Sequence, residues 1–151
     1  MRHLISFAIF MLWSLLFPTA SWSALGGDAA SVQADQTQMK AILHPSISMA
    51  SYHVNTLQTP AGTTVREYVS TSGTVFAVVW QGPVIPDLKQ VLGQYFVQYS
   101  ATAKAMHRRS SHLRIRQSDL VVHSSGHMRA FFGKAYVPSL LPAGVTPDDI
   151  K

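Results

Sequence analysis

Hydrophobic and polar positions change period several times along this chain, and each change predicts an element. Leu4–Phe17 is almost wholly apolar, broken only by Ser6 and Ser14. That run is shorter than the ~20 residues needed to cross a bilayer as a helix. Arg2 precedes it, Pro18 ends it and small residues follow. This is the layout of a secretory leader. Ser21-Trp22-Ser23 puts small side chains at the last and third-last positions, so cleavage is expected after Ser23. Residues 1–23 are thus expected as signal peptide.

Gly26 and Gly27 predict a flexible start to the remaining chain, and Asp28 is a good helix cap. A helix is predicted over Ala29–Leu43, with a thin apolar stripe of Val32, Met39 and Ile42 or Leu43, closed by Pro45. Tyr52–Thr59 then alternates as a strand does, and Pro60-Ala61-Gly62 turns the chain. In Thr63–Ser70, Val65, Glu67 and Val69 share one face; Thr64, Arg66, Tyr68 and Ser70 share the other. After the turn Thr71-Ser72-Gly73, Thr74–Gln81 is nearly continuously apolar, as expected of a central strand. The three strands predict an antiparallel meander.

Asp87 caps a predicted helix reaching about Met106. Leu88, Val91, Leu92, Tyr95, Phe96, Tyr99, Ala103 and Met106 recur at steps of three and four. Such a helix is roughly 30 Å long, and its apolar face is expected to pack on the meander. Leu113 and Ile115 alternate with Arg114 and Arg116, so the end of His107–Arg116 has strand character. Asp119–Ser124 and His127–Val137, joined through Ser124-Ser125-Gly126, predict a second hairpin ended by Pro138. The fold class is therefore α+β: an antiparallel sheet of four to six strands, a meander plus a hairpin, packed against one long amphipathic helix. Residues 24–138 form the expected domain. Residues 139–151 are expected as an extended tail, with Leu140 and Leu141 against the core.

The chain has no cysteine. This excludes disulfides, thiolate nucleophiles, cysteine-bound metals and a lipoprotein anchor. With the leader, it predicts a soluble protein of the periplasm or beyond. The formal net charge is +5, but only 13% of residues are charged. Dedicated nucleic-acid binders carry denser basic faces, so an anionic envelope component or another exported protein is the expected partner class.

Candidate chemistry is sparse. Among seven histidines, His123 and His127 flank a glycine turn and His107 and His112 bracket two arginines. No third ligand stands at a zinc spacing, and the arginines oppose a cation. No metal or cofactor is expected. There is no Gly-x-Ser-x-Gly elbow, and Glu67 is the only glutamate, so neither a serine nucleophile nor a carboxylate pair is marked out. Glu67 shares its face with two valines, and a partly buried carboxylate needs a partner; Arg129 is the expected one. A small hydrolase built on Glu67, His127 and Arg129 is the enzymatic alternative. Arg108, Arg109, Arg114 and Arg116 form the main binding candidate, since guanidinium forks suit phosphate and carboxylate groups, and Glu67 and Arg129 are further candidate binding residues.

Several stretches carry a resemblance: Leu25-Gly26-Gly27-Asp28-Ala29, Gly62 through Val69, Gly73 through Pro83, Pro86-Asp87-Leu88 and Gly126 through Phe131. They resemble a family of short secreted proteobacterial proteins, domain of unknown function 2844, over essentially the whole mature chain. The block ending in Trp80-Gln81-Gly82-Pro83 is the most specific. The resemblance implies an exported single-domain protein, and it assigns no activity, ligand or catalytic residue.

Overall fold

The computed structural model describes residues 25–105, 112–117 and 119–151. The expected leader, Met106 and the arginines Arg108 and Arg109 lie outside these residues. The elements are α1 (Ser31–Gln38), β1 (Ile42–Ser48), β2 (Tyr52–Gln58), β3 (Thr64–Ser70) and β4 (Val75–Gly82). Then follow α2 (Leu88–Leu92), a 3-10 turn (Gly93–Tyr95) and α3 (Phe96–Ala105). The chain ends with β5 (His112–Gln117), β6 (Leu120–His127), β7 (Ala130–Tyr136) and a 3-10 turn at Pro138–Leu140.

All seven strands join one sheet in the order β1-β2-β3-β4-β7-β6-β5, and every pairing is antiparallel. The meander β2-β3-β4 is present as expected, and Val75–Trp80 is fully buried on β4, the middle strand of the whole sheet. The helical run 88–105 leaves β4 and delivers the chain to the far edge at β5. From there β6 and β7 return to pair with β4. The strand count exceeds the expected four to six because β1 and β5 are full edge strands. β1 was expected as the end of a helix. Lys40 takes a left-handed backbone (φ 50°) that ends the helix before Ile42. Pro45 is accommodated because β1 lies at the sheet edge, where a missing N–H is tolerated.

Asp87 caps α2 as expected: its Oδ1 accepts from the Lys89 backbone N–H at 2.9 Å. The long helix is not continuous, because Gly93 (φ 50°, ψ −124°) separates α2 from the following turn. Its apolar side still packs on the sheet: Leu92 is buried, with Tyr95, Phe96 and Tyr99 against the same core. The Gly26-Gly27 start is pinned. Gly26 N–H donates to Val75 C=O at 2.8 Å and Val75 N–H to Gly27 C=O at 2.9 Å, while Leu25 is 1% exposed.

Register assigns each side chain to a face. One face carries Leu57, Val65, Val78, Trp80, Ile115, Val122 and Ala135 and is covered by the helices. The other carries Val54, Tyr68, Val79, Val121 and Tyr136. Residues 139–151, expected as an extended tail, fold back over this second face. Ile150 is 2% exposed there, with Leu140, Leu141 and Val145 packed beside it. Tyr68 Oη donates to Lys151 C=O at 2.6 Å and accepts from Lys151 N–H at 2.9 Å. Lys134 Nζ donates to Pro147 C=O at 2.8 Å. The tail is thus a structural layer.

Candidate functional site

Glu67 sits mid-strand on the helix-covered face, 2% exposed. Its neighbour is not Arg129 but Asp35 of α1, which is 1% exposed. Burial pushes the Glu67 carboxyl well above the usual carboxylate range, and a hydrogen bond to Asp35 and that residue's charge push it the same way. Two carboxyls in one dry site cannot both ionise cheaply, so the pair holds a proton. Gln90 Nε2 of α2 donates to Asp35 Oδ1 at 2.7 Å. The cluster ties α1, β3 and α2 together. Glu67 Oε2 is buried without a hydrogen-bond partner. Gln90 also borders a cavity of about 400 Å³ lined by Met39, Thr63, Val84 and Asp87.

Arg129 occupies the β6–β7 turn, exposed and with a left-handed backbone (φ 63°). Glu67 aligns across β4 with Ala135, and Arg129 is about 20 Å of strand beyond Ala135. No arginine side chain spans that gap, so the expected Glu67–Arg129 pair is absent. His127 does not complete the hydrolase set either. Glu67 aligns with Val122 on β6. His127 lies about 17 Å further along that strand and on the opposite face. Among the described residues, no group of three His, Cys, Asp or Glu side chains could hold a metal ion.

The described arginines of the basic segment fare differently. Arg114 and Arg116 both point from β5 to the face opposite the helices, and both are exposed. Arg114 stands directly across from His123, and His123 directly across from Lys134. One cross-strand row therefore reads Arg114–His123–Lys134, with Arg116 one step away on β5. No carboxylate lies on β5, β6 or β7. Arg114 and Lys134 thus flank His123 from either side, and flanking cations disfavour its charged form. His123 shows the effect: burial, then the charges of Arg114, Lys134 and Arg116, lower its pKa below 6.5. Its Nε2 is buried with no hydrogen-bond partner. His112 and His127 extend the row's side of the sheet, their ring centroids 6.4 Å apart.

Sequence reasoning found Arg114 and Arg116 but missed Lys134 and His123 as their neighbours. The signal was available only as register, since Arg114 and Lys134 meet through a strand that lies between them. It also missed Asp35, which reads as one more polar residue on a weak helix.

The molecule is therefore an α+β domain: a seven-stranded antiparallel sheet with helices on one face, a returning chain segment on the other and a basic β5–β6–β7 surface. Residues 21–150 match the family model described as protein of unknown function DUF2844, and the chain belongs to that family. No curated protein and no solved structure matches it.

Proposed function

We propose that the chain is an exported, non-enzymatic binding module of the periplasm or the extracellular space, taking an anionic partner on the basic surface of β5, β6 and β7. The observation that carries this reading is the exposed pair Arg114 and Arg116, beside His123, on strands that hold no acid; Lys134, across from His123, is already held by the Pro147 and Ile150 carbonyls. Clustered cations repel in the free protein, and a bound polyanion converts that repulsion into attraction. Guanidinium groups add paired donors for phosphate, sulfate or carboxylate oxygens. The separation of Glu67, His127 and Arg129 supports binding over the hydrolytic alternative.

The test is retention on an anionic matrix such as immobilised heparin. The parent protein is expected to bind at low salt and elute as salt rises. Arg114→Ser with Arg116→Ser is expected to elute at clearly lower salt, and adding Arg108→Ser and Arg109→Ser to abolish retention. Unchanged elution of the fourfold variant overturns the reading.

A further inference from the structure

Five of the eight exposed large apolar side chains among the described residues gather at one end of the sheet: Ile42, Val84, Ile85, Met128 and Phe132. Register places them together. One cross-strand row runs from Ile42 on β1 through Gln81 on β4 and Phe132 on β7 to His112 on β5. Across seven strands this rim is about 29 Å wide. Val84 and Ile85 follow directly on the end of β4, whose Gly82 pairs with Phe131. Met128 projects from the β6–β7 turn, 94% exposed.

Cations interleave with these groups. Lys40 precedes β1 and Arg129 shares the turn with Met128. Arg129 and Phe132 line one shallow depression of about 280 Å³. Asp87, the acid in this part of the chain, is occupied as the cap of α2.

The geometry points to this rim as a docking surface for an anionic lipid bilayer. The inference rests on the anionic-partner reading and deepens it by naming the partner. A hydrophilic polyanion has no use for Met128, Val84 or Ile85; the exposed pair Arg114 and Arg116 would serve it alone. Exposed apolar side chains with a cation close by in the chain, Met128 next to Arg129 and Ile42 two residues from Lys40, match the boundary between headgroups and acyl chains. Val84 and Ile85 also border the cavity of about 400 Å³ beside Gln90, whereas Met128 stands clear of it on its turn, 94% exposed and next to Arg129. No described helix is long and apolar enough to cross a membrane.

The experiment is vesicle flotation of the protein as recovered from expressing cells, its N-terminus read by mass spectrometry. Vesicles of phosphatidylcholine alone are compared with vesicles containing phosphatidylglycerol. The parent is expected to float with the anionic vesicles only. Ile85→Ser with Met128→Ser, both at exposed positions, is expected to lower that partitioning at least tenfold while heparin retention stays unchanged. Equal flotation of parent and variant overturns the inference. So does absence of flotation with heparin retention intact, which leaves the anionic-partner reading standing. Loss of both flotation and retention in the parent overturns the two together.

Discussion

Gly133→Ala is a small change with a large expected effect. Gly133 on β7 lies directly across from Trp80 on β4, and the indole covers it. A Cβ at Gly133 would stand 2.2 Å from Trp80 Cζ2 and 2.3 Å from Cε2. Carbon atoms in contact prefer about 3.5–4.0 Å, so the ring must retreat by more than an ångström. Trp80 is 1% exposed and belongs to the helix-side core. The backbone is ordinary strand, since Gly133 is not among the residues with positive φ; the glycine is needed for room, not for conformation. If the core yields, overpacking costs about 1–3 kcal/mol. If the indole is expelled, ~150–250 Å² of burial is lost, which at ~25 cal/mol per Å² is about 4–6 kcal/mol. The expected destabilisation is therefore about 3 kcal/mol, a fall in Tm of roughly 10 °C. In a chain beginning at Ala24, Trp80 is the only tryptophan, so urea unfolding followed by its emission reads the site directly. Trp80→Leu combined with Gly133→Ala is expected to be no less stable than Trp80→Leu alone, because the clash is gone. A Gly133→Ala protein within 0.5 kcal/mol of the parent, with unshifted emission, would refute the packing of Trp80 on Gly133.

Two further outcomes concern titration. Glu67 has a folded pKa raised above its unfolded value of about 4.3, so the folded state keeps a proton that the unfolded chain releases. Its contribution is complete below that unfolded value and is lost as pH rises through the folded pKa. Glu67→Gln, which buries no charge and can donate to Asp35, is expected to be more stable than the parent at pH 8. The gain should be on the order of 1–3 kcal/mol and shrink toward pH 4 in urea titrations; a variant less stable at every pH would contradict the shared proton. His123 shifts the other way: its contribution is present above the unfolded value of about 6.5 and is lost as pH falls through the lowered folded pKa. Its NMR titration midpoint is expected below 6.5 and is expected to rise in 1 M salt and in Arg114→Ser. A midpoint that ignores both would show that the neighbouring cations do not act on it.

What could be read from the sequence was whatever local pattern determines. Thr74–Gln81 is apolar because β4 is paired on both sides and covered on both faces, and Asp87 caps because a helix start needs an acceptor there. β1 escaped detection because an edge strand need not alternate. Ile42 and Ile47 are both exposed, and Pro45 suggests a break. The tail looked extended because its apolar residues, Leu140, Leu141, Val145 and Ile150, follow no helix or strand period; they contact the sheet one turn at a time. The site divided in the same way. Arg114 and Arg116 announce themselves by spacing on one strand. Lys134 joins them only through register, and Asp35 meets Glu67 only through the docking of a helix whose own stripe is weak. Arg129 was matched to Glu67 by charge alone, and strand length separates them.

The returning segment also makes one face of the sheet depend on a distant part of the chain. Tyr68 binds Lys151 across 83 positions of sequence, and Ile150 closes the face formed by Val54, Tyr68, Phe76 and Val79. Arg66 reaches the same Lys151 carbonyl from 85 positions away, and contacts of that span raise the contact order of the fold. The second face of β3 and β4 therefore stays dry only while residues 147–151 are in place.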